Sequence, residues 1–555
     1  MPENQRQNRT AILVVHFFRR FFDNDTIQVE GDTLTTVVRA ISAVAVPGLM
    51  VAFFLQNQYP RRSLWGSIED QYFFVLFSFV VTGMVAIFEW EMLFPDRLDF
   101  VILTPLSLKP RQMLTAKVTA LVTFMMLFLV GCNIFGAFVL PAVSKGDFFR
   151  QVYAHTAAVL LAGIFAALLV LAIGGVLLCL LGGARFRVAS PVVQMLSVMA
   201  LVLLMLHYAL YGDAIQTLLS GRLGIARWMP PFWFLGVYEQ LLHGDAAPAF
   251  AREMSRYAFC GTGIAAAAVL LTYPLAWARM RRMAVEGTSS KRRPPSRWLT
   301  GLLHNVVHRP GERAVFHFIG QTMARNNRYQ VYLAIYCGSG LAVALACAVT
   351  FRTHAGSIQP MFSSKGLHAL MPLLLFWVVA GLRSAFAFPL NLPAGWIFRM
   401  TGVDMAECTA AAHRWALLCA LGTMYCILGV LCAAEWDIRH LLVQIVVGLC
   451  LALLLTDGFF CFQQSVPFNK PRMPGRTSFP LMLTLYFGVF PAFIFAVIYM
   501  EQWIEKNLWR LLPIVFAAAA IHLALGTLRR ASIENEEELE GYYDGEFQLL
   551  GLNRQ

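Results

Sequence analysis

Charge is what this sequence has least of. Only 14% of its 555 residues are Asp, Glu, Lys or Arg, while 58% are hydrophobic. Soluble domains carry about 25% charged residues, so an ordinary water-soluble fold is excluded. Several motifs are also missing. There is no Gly-x-x-x-x-Gly-Lys-Ser/Thr phosphate loop, and the lysine in the most glycine- and serine-rich neighbourhood, Lys291, is followed by arginines and proline. The chain therefore carries no ATPase motif of its own. No His-Glu-x-x-His occurs. The eleven cysteines, Cys132, Cys179, Cys337, Cys419 and Cys450 among them, lie scattered mostly along apolar segments without a Cys-x-x-Cys pair. They read as buried free thiols that act as small hydrophobes, not as metal or redox groups. A cleavable signal peptide is not expected either, because residues 1–10 are polar and Arg19 and Arg20 interrupt the next apolar run.

What remains is a series of long apolar runs. A helix needs about 20 such residues to cross the hydrocarbon core. Spans are expected near 37–55, 72–92, 113–140, 153–182, 188–211 and 257–278. A second set is expected near 330–350, 367–388, 413–434, 440–462, 479–500 and 508–528. Barrel strands would be about ten residues long with alternating polarity, whereas these runs are longer and apolar on every face. The fold class is thus an all-α integral membrane protein, with about twelve transmembrane helices arranged as two six-helix bundles.

Basic residues orient it. Lys and Arg favour the cytoplasmic ends of spans, and the densest basic stretch, 279–328, lies between helices six and seven. Both termini and this linker are therefore expected on the cytoplasmic side of the plasma membrane, where the net charge of +12 suits anionic lipid headgroups, not nucleic acid. The expected organisation is an N-terminal segment at 1–36 with an interfacial helix near 12–22, a first bundle at 37–278, a basic linker at 279–329 with a second interfacial helix, a second bundle at 330–528, and an acidic tail at 529–555.

The six-plus-six division invites a search for a repeat. Val14-Val15-His16-Phe17-Phe18 resembles Val315-Phe316-His317-Phe318-Ile319, and each precedes basic residues and then a span. Phe94-Pro95 ends the second helix as Phe388-Pro389 ends the eighth, and a basic residue, Lys117 or Arg414, opens the helix that follows. Six residues before these prolines stand Glu89 and Arg383, an acid and a base at matching depth that could form a gate pair. The halves differ outside: 212–255 holds Trp228, Pro230, Pro231 and Trp233 in a long connection, read as an interfacial belt or a partly re-entrant segment.

The loop between helices two and three carries the functional argument. It contains an amphipathic stretch at 98–103, with Leu98, Ile102 and Leu103, then Thr104-Pro105-Leu106-Ser107, then Arg111 and Lys117 at the entry to the next helix. An apolar patch on a cytoplasmic loop must be covered by lipid or by a partner. Here the sequence resembles the permeases of type-2 ATP-binding-cassette transporters, over residues 10–280. In that family a coupling helix fills this loop and ends in such a turn. The resemblance implies cytoplasmic ATPase subunits, expected as two, that bind ATP and magnesium while this chain binds neither. Their closure would tilt the bundles and drive export. The second-half loop offers Trp396, Phe398 and Arg399 in the corresponding place, without the Thr-Pro-Leu-Ser turn.

Two alternatives stay open. A secondary carrier of six-plus-six architecture would need ionisable residues near the bilayer midplane, but Glu89, Glu91, Arg383 and Asp457 all read as lying near cytoplasmic helix ends. A lipid-modifying enzyme would need acid, base or metal groups gathered at one depth, whereas His155, His207, His243, His354 and His440 read as isolated.

Overall fold

The computed structural model describes residues 3–22, 33–56, 64–93, 108, 110–144, 146–181, 183–207, 215–216, 218–220, 224–286, 309–354, 357–387, 404–433, 436–461, 466–468 and 489–543. Among them, ten helices are long and apolar enough to cross a membrane. Each coincides with one of the expected spans. The other two expectations also meet helices. The run at 37–55 lies inside helix α2 (Thr33–Gln56). The run at 479–500 overlaps a helix at Phe490–Glu505, while 479–488 falls outside the described residues. The chain is an all-α membrane protein.

It divides into two units, Met1–Lys291 with Phe351–Gln359, and Arg292–Thr350 with Pro360–Gln555. The first begins with α1 (Glu3–Phe22), which starts ahead of the apolar run at 12–22. Leu13, Phe17 and Phe21 recur every four residues, so they share one helical face, and all three are buried. That face lies on α5 (Pro110–Val143), where Phe21 stacks on Phe124 with centroids 4.8 Å apart.

Helix α3 (Leu64–Phe88) is apolar on most of its surface from Tyr72 onward, and most of it is buried. Tyr72, Phe74, Val75 and Leu76 have no exposed surface, and α5, α6 (Phe148–Leu180), α7 (Gly183–Leu206) and α8 (Pro230–His243) surround it. It stops at Glu89 and gives way to the single turn α4 (Trp90–Leu93). The Tyr273 hydroxyl on α9 (Ala249–Glu286) donates to the Leu93 carbonyl at 2.8 Å and fixes that end.

Helix α8 occupies the long connection expected outside. Proline at its first two positions suits a helix start, where no N–H is needed. Its 14 residues reach about 21 Å, short of the roughly 30 Å hydrocarbon core. It nonetheless packs into the bundle: Phe232 stacks on Tyr72 at 4.3 Å, and Phe234 meets Phe165 at 5.4 Å. Gly236 permits the approach to α9, since a Cβ there would stand 2.3 Å from that of Met254.

The second unit repeats the opening. Helix α10 (Pro310–Arg325) buries Val315, Phe316, Ile319 and Met323 and lies on α13 (Met405–Ala433), with Phe316 6.0 Å from Trp415. Helix α11 (Asn327–Ala348) leads into a hairpin of β1 (Val349–His354) and β2 (Ser357–Phe362), whose residues 351–359 are grouped with the first unit, and the Ser363 N–H donates to the Ala348 carbonyl. This hairpin was not expected from the sequence. Helices α12 (Ser364–Phe386), α14 (Ile438–Phe460), α15 (Phe490–Glu505) and α16 (Leu511–Tyr543) complete the unit. The last runs beyond 528 through the acidic residues to 543, so the start of the expected tail is helical.

Candidate functional site

Two clusters of histidine and carboxylate side chains lie within the second unit, and both use α14. In the first, His440 and Gln444 are four residues apart on α14, and Glu501 and Glu505 are four apart on α15. That spacing sets each pair on one face. His368 of α12 stands between them, one turn beyond the cap where Ser363 accepts from the Gly366 N–H at 3.3 Å. Its Nδ1 is 3.1 Å from Glu501 Oε2, which also accepts from Gln444 Nε2 at 2.6 Å. Glu505 Oε1 lies 2.6 Å from His440 Nδ1 and 3.7 Å from His368 Nε2. Trp436 walls the group, with its ring 4.9 Å from His368 and 5.5 Å from His440. Glu501 has no exposed surface, and its second oxygen has no hydrogen-bond partner.

The second cluster centres on Asp457. His413 Nε2 of α13 meets one carboxylate oxygen at 2.8 Å, and His522 Nδ1 of α16 meets the other at 2.5 Å. Asp457 is buried, while His522 is 41% exposed and gives the cluster contact with the surroundings. Asp457 follows His440 by 17 residues on α14, or about 25 Å of helix. The two clusters therefore occupy opposite ends of one spanning helix.

These clusters correct the reading of the histidines as isolated. His440 pairs with Glu505, and His243 lies 3.1 Å from Glu239. In the first unit His155 is buried beside the Tyr238 hydroxyl, with Nδ1 at 3.4 Å. Glu239 sits on α8, outside the spans. Burial pushes its carboxyl above the ordinary range, against the pull of His243.

The residues singled out in the sequence fare unevenly. Leu98, Ile102, Leu103, Thr104, Pro105, Leu106 and Ser107 lie outside the described residues, as do Trp396, Phe398 and Arg399. Arg111 is exposed in the first turn of α5, whereas Lys117 is buried with Nζ 5.5 Å from the Phe17 ring of α1. Its counterpart Arg414 pairs with Glu312 of α10 at 3.0 Å. Trp228 is exposed, Pro230 and Pro231 open α8, and Trp233 Nε1 donates to the Arg227 carbonyl at 2.9 Å. Glu89 is buried where α3 ends in the first unit, and Arg383 is half-buried in the last turn of α12 in the second.

Compared with family models, curated proteins and solved structures, the chain matches none.

Proposed function

We propose that this chain is the membrane-spanning part of a type-2 ATP-binding-cassette exporter, working with separate cytoplasmic ATPase subunits at the plasma membrane. The observation that carries the reading is a packing relation found twice. An amphipathic helix lies on the third span of its unit, and the basic residue near the start of that span faces it: Lys117 over Phe17 in one case, Arg414 on Glu312 in the other. In the first unit such a helix is braced against the span that follows the expected coupling loop. A push on the loop would then reach the bundle through side chains already in contact. The short helix α8, packed among α3, α6 and α9, suits the re-entrant segment of such permeases.

The test is retention of the partner. The tagged chain, extracted from its own host in mild detergent, should bring down a soluble phosphate-loop ATPase. Hydrolysis by that complex should exceed that of the ATPase alone. If no ATPase is retained, and the purified chain in vesicles transports without ATP, the reading fails. Single-cysteine labelling checks the orientation: a thiol at Ser290 should react only from the cytoplasmic side.

Asp457 supports a second reading. A carboxylate buried in a span and shared by two histidines is the type of group that relays protons in carriers. An ion-coupled carrier would dissipate a pH gradient on adding substrate, with no ATPase present.

A further inference from the structure

We propose that His368, His440 and Glu505 form a binding site for a divalent transition-metal ion of the zinc class. Three helices supply one ligand atom each: Nε2 from α12, Nδ1 from α14 and a carboxylate oxygen from α15. All three atoms lie within 4.8 Å of one another. Ligands held tetrahedrally at about 2.0–2.1 Å from an ion stand about 3.4 Å apart. The separations of 2.6 Å and 3.7 Å to Glu505 Oε1 bracket that value. A small rotation of the glutamate side chain reconciles them.

A second observation concerns orientation. His368 must offer Nε2 as a lone pair, which requires its proton on Nδ1. Glu501 accepts at that nitrogen and is itself held by Gln444. Carboxylate, imidazole and metal in line is the arrangement that fixes a ligand's tautomer and raises its basicity. Glu501 is sealed from solvent, so its charge has little water to satisfy it. A cation held beyond the imidazole would offset it.

The donor set selects the ion. Calcium and magnesium take oxygen ligands, whereas two imidazoles and a carboxylate suit zinc and its neighbours. Three protein ligands leave a fourth position, and the 36% exposure of the His440 side chain opens it outward. By the expected topology, the start of α12, the start of α14 and the end of α15 all lie at the outer face. The ion would arrive from outside and tie three helix ends together. The inference does not depend on the transport reading.

The experiment uses the full chain in detergent, purified through a tag without histidine, stripped with chelator and titrated with Zn2+. The wild type should take up about one ion per chain, and Co2+ in its place should give the ligand-field absorption of a low-coordinate site. His440→Ala, a substitution at a partly exposed position, should abolish both signals while leaving the melting temperature of the metal-free protein near the wild-type value. Glu501→Gln should weaken zinc binding about 10–100-fold. His522→Ala, in the other cluster, should bind as the wild type does. Wild-type protein that takes up no zinc would mean an ion-pair cluster only, and overturns the proposal. So does zinc uptake unchanged by His440→Ala, because the ion would then sit elsewhere.

Discussion

Arg414 Nε on α13 lies 3.0 Å from Glu312 Oε1 on α10, and the carboxylate is buried while the guanidinium side chain is 39% exposed. The pair pins the amphipathic helix of the second unit to its third span, as Lys117 and Phe17 do in the first. Removing the exposed partner leaves a buried charge behind, which is the costly direction. Arg414→Ala should therefore destabilise by about 1–3 kcal/mol, discounted for exposure of the arginine. Arg414→Lys should recover part of it. The check is thermal unfolding in detergent, and an unchanged midpoint for Arg414→Ala would refute the bracing role.

That relation was half-legible in the sequence. The resemblance of 14–18 to 315–319, each upstream of a basic residue that opens a span, placed the parts in order. What each basic residue touches depends on helix rotation, which order alone does not set. The spans themselves were readable because lipid imposes length and apolarity on them. The clusters were not. His368, His413, Asp457, Glu501 and His522 lie on four different spans and α15, and their partners are dozens of residues away. Only the spacings of His440 with Gln444 and of Glu501 with Glu505 gave a local sign. The hairpin at 349–362 was missed because it follows a span directly.

Asp457 separates the two functional readings. Asp457→Asn removes the charge that both histidines approach, and should lower thermal stability through loss of charge-assisted hydrogen bonds. If ATP drives transport, the variant should keep ATP-stimulated turnover in vesicles. Loss of transport with ATPase activity intact would favour the ion-coupled carrier.

Small residues on α11 predict a tight contact with α12. Gly340, Ala344 and Ala348 form one buried row, and such rows let backbones approach in lipid. A Cβ at position 340 would stand 2.5 Å from Trp377 Cδ1, and Trp377 is held by its Nε1 donating to the Tyr336 carbonyl at 2.7 Å. Gly340→Ala should cost about 1–3 kcal/mol by overpacking. Ala346→Leu, at a partly exposed position of the same helix, should cost less. The reverse order in melting temperature would point to a different contact face.

Glu239 predicts a pH dependence. Burial raises its folded-state pKa above that of the unfolded chain. A carboxyl shifted this way favours folding at low pH, where it is protonated in both states. That contribution is lost as pH rises from the ordinary carboxylate range through the raised value. Glu239→Gln stays neutral throughout. Its melting temperature relative to wild type should therefore rise between acid and alkaline conditions. A difference that stays constant with pH would show that the carboxylate is not penalised by its site.

The expected coupling loop gives the sharpest test of the proposed mechanism. Leu98, Ile102 and Leu103 lie outside the described residues, and in the sequence they read as an apolar patch that needs a protein or lipid cover. If the ATPase supplies the cover, replacing all three with glutamate places charges where the partner's surface is apolar. Insertion should be unaffected, because the spans are unchanged, and the α1–α5 contact should persist. Substrate-stimulated ATP hydrolysis should fall to the basal rate of the ATPase alone, and co-purification should weaken. Lipid as the cover gives a different result: the variant would still retain its ATPase and respond to substrate, but would lose affinity for anionic vesicles. Measuring hydrolysis and vesicle binding on the same preparation therefore distinguishes a transmission element from a membrane anchor.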